Sequence, residues 1–331
     1  MSPNRLYYRP IPDQGPAPRY RLVGGWAGFS QFEVLQRGHA PRLSDSAPDE
    51  VIAALTAPRP AIAGLAMDRP QIMGIVNATP DSFSDGGAYD PVAQAERLLT
   101  EGADILDIGG ESTRPGAEEV AVGDEIARIL PTIRQMAGRV PVSADTRKSA
   151  VARAALEAGA TLINDVSGFD FDPGLAALVA EAKVPVCLMH AQGLPAHMQD
   201  DPRYDDVLLD VYDALEQRIL RAENAGIARQ QIVIDPGIGF GKNTVHNLAL
   251  LRRISLYHGL GCVILLGVSR KRFIGEIGQA ADAAARLPGT LAVTLAALDQ
   301  GVQIHRVHDV AEIRQGLRLW QALNKDETGQ R

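Results

Sequence analysis

The sequence predicts an α/β protein, a (β/α)8 TIM barrel with an N-terminal extension, on two observations. From about residue 70, short β-branched apolar segments alternate with longer amphipathic segments, and eight such pairs occupy roughly 250 residues, as this barrel requires. The strand segments are apolar along their length, as expected for parallel strands covered on both faces. An open doubly wound sheet is the alternative, but it usually has fewer strands and a glycine-rich first turn, which NATPDS is not.

The N-terminal part of the chain differs in composition from the rest. We divide the sequence into an extension (1–68), a barrel (69–325) and a short C-terminal tail (326–331). The extension is dense in proline, glycine and arginine. Within it, RYRLVGGWAGFSQFEVLQRG predicts a short hairpin and APDEVIAALTA predicts a helix, both packed on the barrel.

The barrel elements follow from periodicity. Between Asp205 and Gly226, apolar residues recur every four positions, which indicates a helix. Several helices end at a glycine before the next strand, as in EAGATLIN and ENAGIARQQIVI. Pro131 interrupts a helical pattern and predicts a kink or a helix boundary there. The predicted strands are QIMGIVN, DILDIGG, VPVSADT, TLINDVSG, VPVCLMH, IVIDPG, VILLGVS and VQIHRVHDV.

Composition narrows the class of protein. The chain has 331 residues, a net charge of -7 and a sequence pI near 5.5. This mildly acidic balance gives no electrostatic reason to expect nucleic acid or an anionic membrane as a partner. No apolar segment is long enough to span a bilayer, and MSPNRLYYRPIPDQGP lacks a secretory core. We therefore expect a cytoplasmic enzyme with Cys187 and Cys262 as buried, reduced thiols.

Polar residues cluster where the predicted strands end. In a (β/α)8 barrel these ends build the active site. Taken singly, most have a simple explanation as turn residues or helix caps, and His190 is best interpreted as a packed histidine. In chain order the ends carry Asn77, Glu111, Ser112, Thr113, Arg114, Asp145, Asn164, Asp165, His190, Asp235, Ser269, Arg270, Lys271, Arg306 and His308.

Together these groups indicate a binding site. Carboxylates, an amide and a lysine buried in one cleft are costly unless a ligand or mutual pairing satisfies them. This set suits a flat polar heterocycle that has donors on one edge and a carbonyl on another. Arg114, Arg306 and His308 supply the local positive charge that a polyphosphate or carboxylate needs.

The stretch DPGIGFGKN looks like a phosphate-binding loop but fits neither standard template. A Walker loop would need glycine at Pro236 and serine or threonine at Asn243. The dinucleotide fingerprint would need its last glycine at Lys242. The stretch therefore has a different role.

The chain resembles the dihydropteroate synthase family from about Pro70 to about Leu323. Eight motifs occur in the family's order and spacing: NATPDSFSDGG, GGESTRPGA, SADTRK, INDVSG, CLMHAQG, DPGIGFGKN, GVSRKRFIG and IHRVHDV. The resemblance implies a transferase of folate biosynthesis. It would condense 6-hydroxymethyl-7,8-dihydropterin diphosphate with 4-aminobenzoate to give 7,8-dihydropteroate and pyrophosphate. It also implies a homodimer and a Mg²⁺ cofactor.

The resemblance assigns roles to residues of this sequence. The pterin ring would contact Asp145, Asn164, Asp235 and Lys271. The diphosphate would contact Arg306, His308 and, together with Mg²⁺, Asn77. The 4-aminobenzoate side would be formed by Phe83, Thr113, Arg114, Pro115, Phe240, Ser269 and Arg270. Asp81 or Asp85 would stabilise positive charge or accept a proton, and the choice between them is open.

The expected mechanism is an SN1-like loss of diphosphate without an enzyme nucleophile. The sequence departs from the family mainly at Ala78 and Ala144, where valine is more usual, and in its longer N-terminus. The alternative enzyme is a corrinoid methyltransferase-type pterin-binding domain acting on methyltetrahydrofolate, which has no diphosphate to bind. A non-catalytic pterin-binding protein is the second alternative. It would not be expected to keep Asn77 and Arg306.

Overall fold

The extension forms an antiparallel sheet and one helix. A computed structural model of the chain describes residues 4–13, 15, 17–79, 90–112, 119–193 and 201–324. The strand at the centre of the extension's sheet pairs along one edge with the first strand and along the other with the remaining two. The predicted hairpin and helix are present, and two further strands join them. These elements are β1 (Tyr7–Asp13), β2 (Tyr20–Arg21), β3 (Gly28–Leu35), β4 (Arg42–Ser44) and α1 (Asp49–Thr56).

Eight parallel strands then close into a barrel, and at least one helix follows each of them, which confirms the predicted (β/α)8 fold. The strands are β5 (Gln71–Asn77), β6 (Ile105–Gly109), β7 (Val142–Asp145), β8 (Leu162–Asp165), β9 (Val186–Met189), β10 (Ile232–Asp235), β11 (Val263–Leu266) and β12 (Ile304–Val307). The helices are α2 (Pro91–Glu101), α3 (Val122–Met136), α4 (Ser149–Glu157), α5 (Gly174–Ala182), α6 (Val207–Asn224), α7 (Thr244–Arg252), α8 (Arg272–Gly278), α9 (Leu287–Leu298) and α10 (Val310–Leu323). Short 3-10 helices lie at Leu22–Gly24, Arg229–Gln231, Ile254–Leu260 and Ala284–Arg286.

Side chains of the barrel strands alternate between the helices and the lumen, as the two-residue period of a strand requires. Outward residues such as Leu106 and Ile108 join the large core beneath the helices. Inward residues such as Ile105 and Ile304 form a separate apolar cluster that we call the floor of the lumen. Ile62 and Met67 pack into the floor from the chain just before β5, each only 1% exposed.

The extension packs mainly against α6 and the 3-10 helix Ile254–Leu260. Its sheet and α1 enclose a small core of their own, which includes Phe29, Phe32 and Leu55. Tyr7 instead joins the core of the barrel, and its hydroxyl donates to the carboxylate of Asp213 in α6. The extension is therefore attached to one flank of the barrel by both apolar and polar contacts.

Of the two alternatives predicted at Pro131, a kink or a helix boundary, the boundary is wrong, because α3 continues through this residue to Met136. Pro131 removes the backbone hydrogen bond to Ala127, but both residues are exposed, so water can satisfy the free carbonyl. Ile129 and Ile133 on the opposite face are fully buried and hold the helix on the barrel. None of the described helices is long and apolar enough to cross a membrane.

Candidate active site

The lumen becomes polar one layer above its floor. Asp107, Asn164, Asp235 and Arg306 each lie two residues after an inward-facing floor residue of the same strand, so they also face the lumen. Asp145 ends β7 in register with Asn164 of β8. The carboxyl ends of five strands thus bring these side chains together, which is where a barrel enzyme places its active site.

Arg306 binds two of these side chains, and one of the two also binds a third. Its Nε donates to Asp107 at 2.5 Å and its Nη2 to Asp145 at 2.7 Å. Asn164 Nδ2 also donates to Asp107, at 3.1 Å. Arg306 was expected to be a cation available to an anionic ligand, whereas the structure shows it paired with two carboxylates. Three of the five N–H donors of its guanidinium remain outside these two bonds.

Burial and crowding shift the pKa values of these groups. Burial raises the pKa of Asp145 to about 7, and the nearby charge of Asp107 adds to the shift. Burial disfavours the charged guanidinium of Arg306, but Asp107 and Asp145 outweigh it and raise its pKa above the ordinary value. Asp145 therefore keeps its proton to a higher pH than an exposed aspartate does.

Asp235 and Lys271 form the opposite wall. Burial raises the pKa of Asp235, which is 7% exposed and accepts a 2.7 Å hydrogen bond from the Gly237 amide. Lys271 donates to the carbonyl of Ile238, and its Nζ lies 4.7 Å from the centre of the Phe240 ring. Burial lowers the pKa of Lys271 to about 8, against the opposing effect of Asp235.

The DPGIGFGKN loop is held by a buried lysine that sequence reasoning considered only as part of a phosphate loop. Lys242 is 2% exposed and donates to the carbonyls of Gly237 and Phe240, at 3.0 and 3.1 Å. Its Nζ also lies 2.8 Å from Nδ1 of His190. Burial, and then the charge of Lys242, keep the pKa of His190 well below 6.5. His190 is thus a packed residue, as the sequence favoured, and Lys242 crosslinks the loop to the end of β9.

The ends of β11 and β12 are joined by Ser269 and His308, whose Oγ and Nδ1 atoms lie 2.9 Å apart. Arg270 turns toward Asp309, with Nε donating to its carboxylate at 3.0 Å. The Arg270 backbone has φ of 59°, which directs the chain from the strand into the next helix. Asn77 is the last residue of β5 and is half-buried.

Some predicted site residues lie outside the described part of the chain: Asp81, Phe83, Asp85, Thr113, Arg114 and Pro115. The residues that flank the second of these stretches are described. Glu111 accepts a hydrogen bond from the Val120 amide at 2.9 Å, and Lys148 donates to the Val120 carbonyl at 2.5 Å. Lys148 also donates to Glu111 at 2.5 Å and to Glu125 at 2.8 Å.

Sequence reasoning missed Asp107. It lies inside β6 and not at its end, but a charged residue in the apolar segment DILDIGG was a usable signal. Its Oδ1 is buried and has no hydrogen-bond partner among the described residues. An unpaired buried acceptor in a polar lumen is a place for a ligand donor. Within the described ranges, no group of three or more His, Cys, Asp or Glu residues is arranged to hold a metal ion.

Comparisons with known proteins agree with this geometry. The family described as pterin binding enzyme matches residues 73–308. The dihydropteroate synthase of Neisseria meningitidis serogroup C is 48% identical over 256 residues, which cover 75% of this chain and 90% of that protein. Xanthomonas albilineans dihydropteroate synthase, solved with 4-aminobenzoic acid, has a TM-score of 0.75 and 47% identity over 80% of this chain and 97% of that one. The Yersinia pestis enzyme, solved as a sulfonamide drug complex, has a TM-score of 0.76 and 42% identity, covering 81% and 99%.

Proposed function

The chain belongs to the pterin-binding enzyme family, among its dihydropteroate synthases, and on that premise we propose how its site condenses 6-hydroxymethyl-7,8-dihydropterin diphosphate with 4-aminobenzoate. The observation that carries the proposal is the set of buried polar side chains that line the lumen: Asp107, Asp145, Asn164, Asp235 and Lys271. The corrinoid methyltransferase alternative is set aside, because the similar proteins described above are dihydropteroate synthases.

The pterin ring presents an amino group and ring N–H groups on one edge and a carbonyl on the other. Asp235 would accept from the amino group and a ring N–H, which a carboxylate does with both oxygens. Asn164 and Asp145 would contact further ring nitrogens, and Lys271 would donate to the carbonyl. The unpaired Oδ1 of Asp107 supports a further acceptor role for this residue, which the sequence analysis did not include.

The diphosphate would lie toward the mouth of the lumen, with Asn77, His308 and the remaining donors of Arg306. A Mg²⁺ ion would fit this donor set with Asn77 as a neutral oxygen ligand, because the ion prefers phosphate oxygens and water, and the described residues contain no group of three or more His, Cys, Asp or Glu arranged to hold a metal. When bound, the ion would offset the negative charge that develops on the leaving diphosphate.

The reaction would begin with cleavage of the bond between the pterin methylene carbon and the diphosphate oxygen. The electron pair leaves with the diphosphate, and the electron-rich dihydropterin ring delocalises the resulting cation. The amine nitrogen of 4-aminobenzoate then forms the new bond to the methylene carbon and loses a proton. Arg306 and His308 would stabilise the departing charge, so no enzyme nucleophile is needed.

We propose that 4-aminobenzoate binds beside the loops that follow the strands. Phe240 and Ser269 would line the 4-aminobenzoate site, together with Phe83, Thr113, Arg114 and Pro115. Arg270 is ion-paired with Asp309, so we propose that it shapes the wall of this site from a fixed position. Asp81 or Asp85 would stabilise the cation or accept the amine proton. Because the Yersinia pestis enzyme was solved with a sulfonamide drug, we also expect this site to be a sulfonamide target.

We propose a cytoplasmic homodimer as the working form. Two free, buried cysteines fit a reducing compartment. Exposed apolar side chains one turn apart on α10, Leu319 and Leu323, are the kind of surface that a second copy covers. Sedimentation velocity of the purified chain tests the dimer, and a purely monomeric species would contradict it.

Product analysis tests the reaction directly. The purified chain is incubated with dihydropterin diphosphate, 4-aminobenzoate and Mg²⁺, and both dihydropteroate and pyrophosphate are quantified. We expect both products, loss of both with EDTA, and a sharp decrease in Asp235→Ala and Lys271→Ala. Pyrophosphate without dihydropteroate would contradict the assigned acceptor. Neither product from a folded protein would contradict the proposed reaction.

A further inference from the structure

We propose that Arg37, in the N-terminal extension, is a positioning residue for the active-site loop that carries Phe240, and that it acts through Asp210 and Tyr204. The inference rests on the proposed function, because it assigns Phe240 to the 4-aminobenzoate site. Arg37 lies outside the matched family region, which begins at residue 73. The positioning contact therefore comes from the added part of this chain.

The first contact joins the extension to the start of α6. Arg37 follows β3, and its Nη1 donates to Asp210 at 2.5 Å while its Nη2 donates to Asp213 at 2.7 Å. The helix begins at Val207 after the loop that leaves β9. Because this loop leaves the carboxyl end of a barrel strand, the start of α6 lies on the active-site face.

Asp210 shares its two oxygens between the extension and the loop. Oδ1 accepts from Arg37, whereas Oδ2 accepts from the backbone amides of Asp205 and Asp206, at 3.0 and 3.1 Å. Asp206 is the N-cap of α6, and its side chain accepts from the amide of Leu208. Arg37 therefore fixes the carboxylate that fixes the last residues of the loop.

Tyr204, the next residue toward the strand, carries the contact into the site. Its hydroxyl donates to the carbonyl of Gly241 at 2.8 Å, and its ring centre lies 6.0 Å from Nζ of Lys242. Lys242 in turn donates to the carbonyl of Phe240. A continuous series of contacts thus leads from Arg37 to the backbone of the loop that presents Phe240 and, through Ile238, binds Lys271.

Arg5 provides a matched comparison within the same extension. Its guanidinium forms two bonds to Glu216, at 2.5 and 2.6 Å, and one to Asp213, so it also attaches the extension to α6. Within the described part of the chain, these bonds go to Glu216 and Asp213 and not to Asp210, Asp205 or Asp206. Loss of Arg5 therefore weakens attachment of the extension without releasing Asp205 and Asp206, the last residues of the loop before α6.

The experiment compares Arg37→Met with Arg5→Met in the full chain. Hydrogen exchange is followed at the amides of Asp205 and Asp206, and KM and kcat are measured for both substrates. In Arg37→Met we expect both amides to exchange about three- to tenfold faster, and KM for 4-aminobenzoate to rise by a similar factor with kcat within about twofold. In Arg5→Met we expect both readouts to stay within about twofold of the wild type.

Two further variants test the series of contacts. Arg37→Lys keeps one donor toward Asp210, so its KM for 4-aminobenzoate should lie between those of the wild type and Arg37→Met. Tyr204→Phe removes only the hydroxyl that binds Gly241, and it should raise KM without further effect when combined with Arg37→Met, because both changes act on the same series.

Equal effects of Arg37→Met and Arg5→Met on exchange and KM would overturn the proposal, since both residues would then act only by attaching the extension. Unchanged exchange at Asp205 and Asp206 in Arg37→Met would also overturn it. If the wild-type chain makes no dihydropteroate, the proposed reaction fails, but the exchange comparison still decides whether Arg37 holds the loop.

Discussion

Two buried charge clusters lie at neighbouring strand ends, and they differ in completeness. The first, which we call the lumen cluster, contains Asp107, Asp145, Asn164 and Arg306. The second, which we call the outer cluster, contains Glu111, Glu125, Thr146, Arg147 and Lys148. Both draw residues from the segments around β6 and β7.

In the outer cluster, the buried charged groups satisfy one another's hydrogen bonds. The three N–H groups of Lys148 meet Glu111, Glu125 and the Val120 carbonyl. Burial opposes ionisation of Glu111, but the bonds from Lys148 and the Val120 amide, together with the charge of Arg147, outweigh it and lower the pKa of this carboxyl. Likewise, burial is outweighed by Glu111 and Glu125, which raise the pKa of Lys148.

The lumen cluster leaves Oδ1 of Asp107 without a partner among the described residues, and it holds Asp145 near pKa 7. A cluster that completes its own bonds stabilises the fold, whereas one that leaves an acceptor open is prepared for a ligand. Completeness of hydrogen bonding, more than burial or charge, therefore separates the structural cluster from the binding one.

The largest expected effect comes from breaking the outer cluster. Lys148→Met leaves Glu111 and Glu125 buried without their shared cation, and it should lower the free energy of unfolding by about 3 kcal/mol. Urea unfolding measures this change. Arg139→Met, which removes an ion pair with Glu96 at the surface, is the control and should leave the unfolding curve unchanged. Equal destabilisation by both variants would contradict a structural role for the outer cluster.

A smaller effect, on binding and not on folding, is expected in the lumen cluster. Asp107→Asn removes an acceptor for the pterin and should weaken pterin binding by about 2 kcal/mol, or roughly thirtyfold. Stability should change little, because the asparagine oxygen can still accept from Arg306, Asp145 still pairs with this arginine, and the substitution removes repulsion between the two carboxylates. Calorimetric titration with the pterin measures the affinity.

Asp165→Asn is the matched control for this change. Asp165 is likewise a buried strand aspartate, but its carboxylate accepts from the amides of Ser167 and Phe169, at 2.8 and 2.6 Å. Its substitution should reduce stability and leave pterin affinity intact. If Asp165→Asn weakened pterin binding and Asp107→Asn reduced stability instead, complete hydrogen bonding would not distinguish structural carboxylates from binding ones.

The smallest effect is a pH dependence that sharpens the comparison. Asp145 must lose its proton to accept from the pterin, so kcat/KM should rise as pH increases through about 7. Lys271 must keep its proton to donate, so kcat/KM should fall as pH increases through about 8. In Asp107→Asn the lower limb should move to lower pH, because the charge of Asp107 contributes to the raised pKa of Asp145. A profile unchanged by the substitution would show that the two carboxylates are not coupled.

Periodicity predicted most of the fold because each barrel unit is local. The exceptions depend on contacts between distant parts of the chain. The pairing of β1 with β3, which joins Tyr7 to Leu35, leaves no local pattern in the sequence. The continuation of α3 through Pro131 depends on which face of that helix is exposed.

Sequence reasoning identified candidate site residues only where they lie at the ends of predicted strands. Asp145, Asn164 and Asp235 were found in this way, and the structure places them in one lumen. Asp107 was missed because it is internal to its strand, and Lys148 because spacing does not reveal which carboxylates it meets. The pairing of Arg306 could not be predicted, since it joins strands 199 positions apart in the sequence.

The sealed floor of the lumen has a consequence for the order of events. Because Ile62 and Met67 pack into the floor at the lower end, a ligand of the polar layer would enter from the mouth at the carboxyl ends of the strands. The polar layer that suits the pterin is the deeper one, and Phe240 and Ser269 lie in the loops nearer the mouth. If both substrates bind as proposed, an acceptor that bound first would block the way to the deeper layer. Turnover would then require the pterin diphosphate to bind first, and the product would leave with its pterin end last.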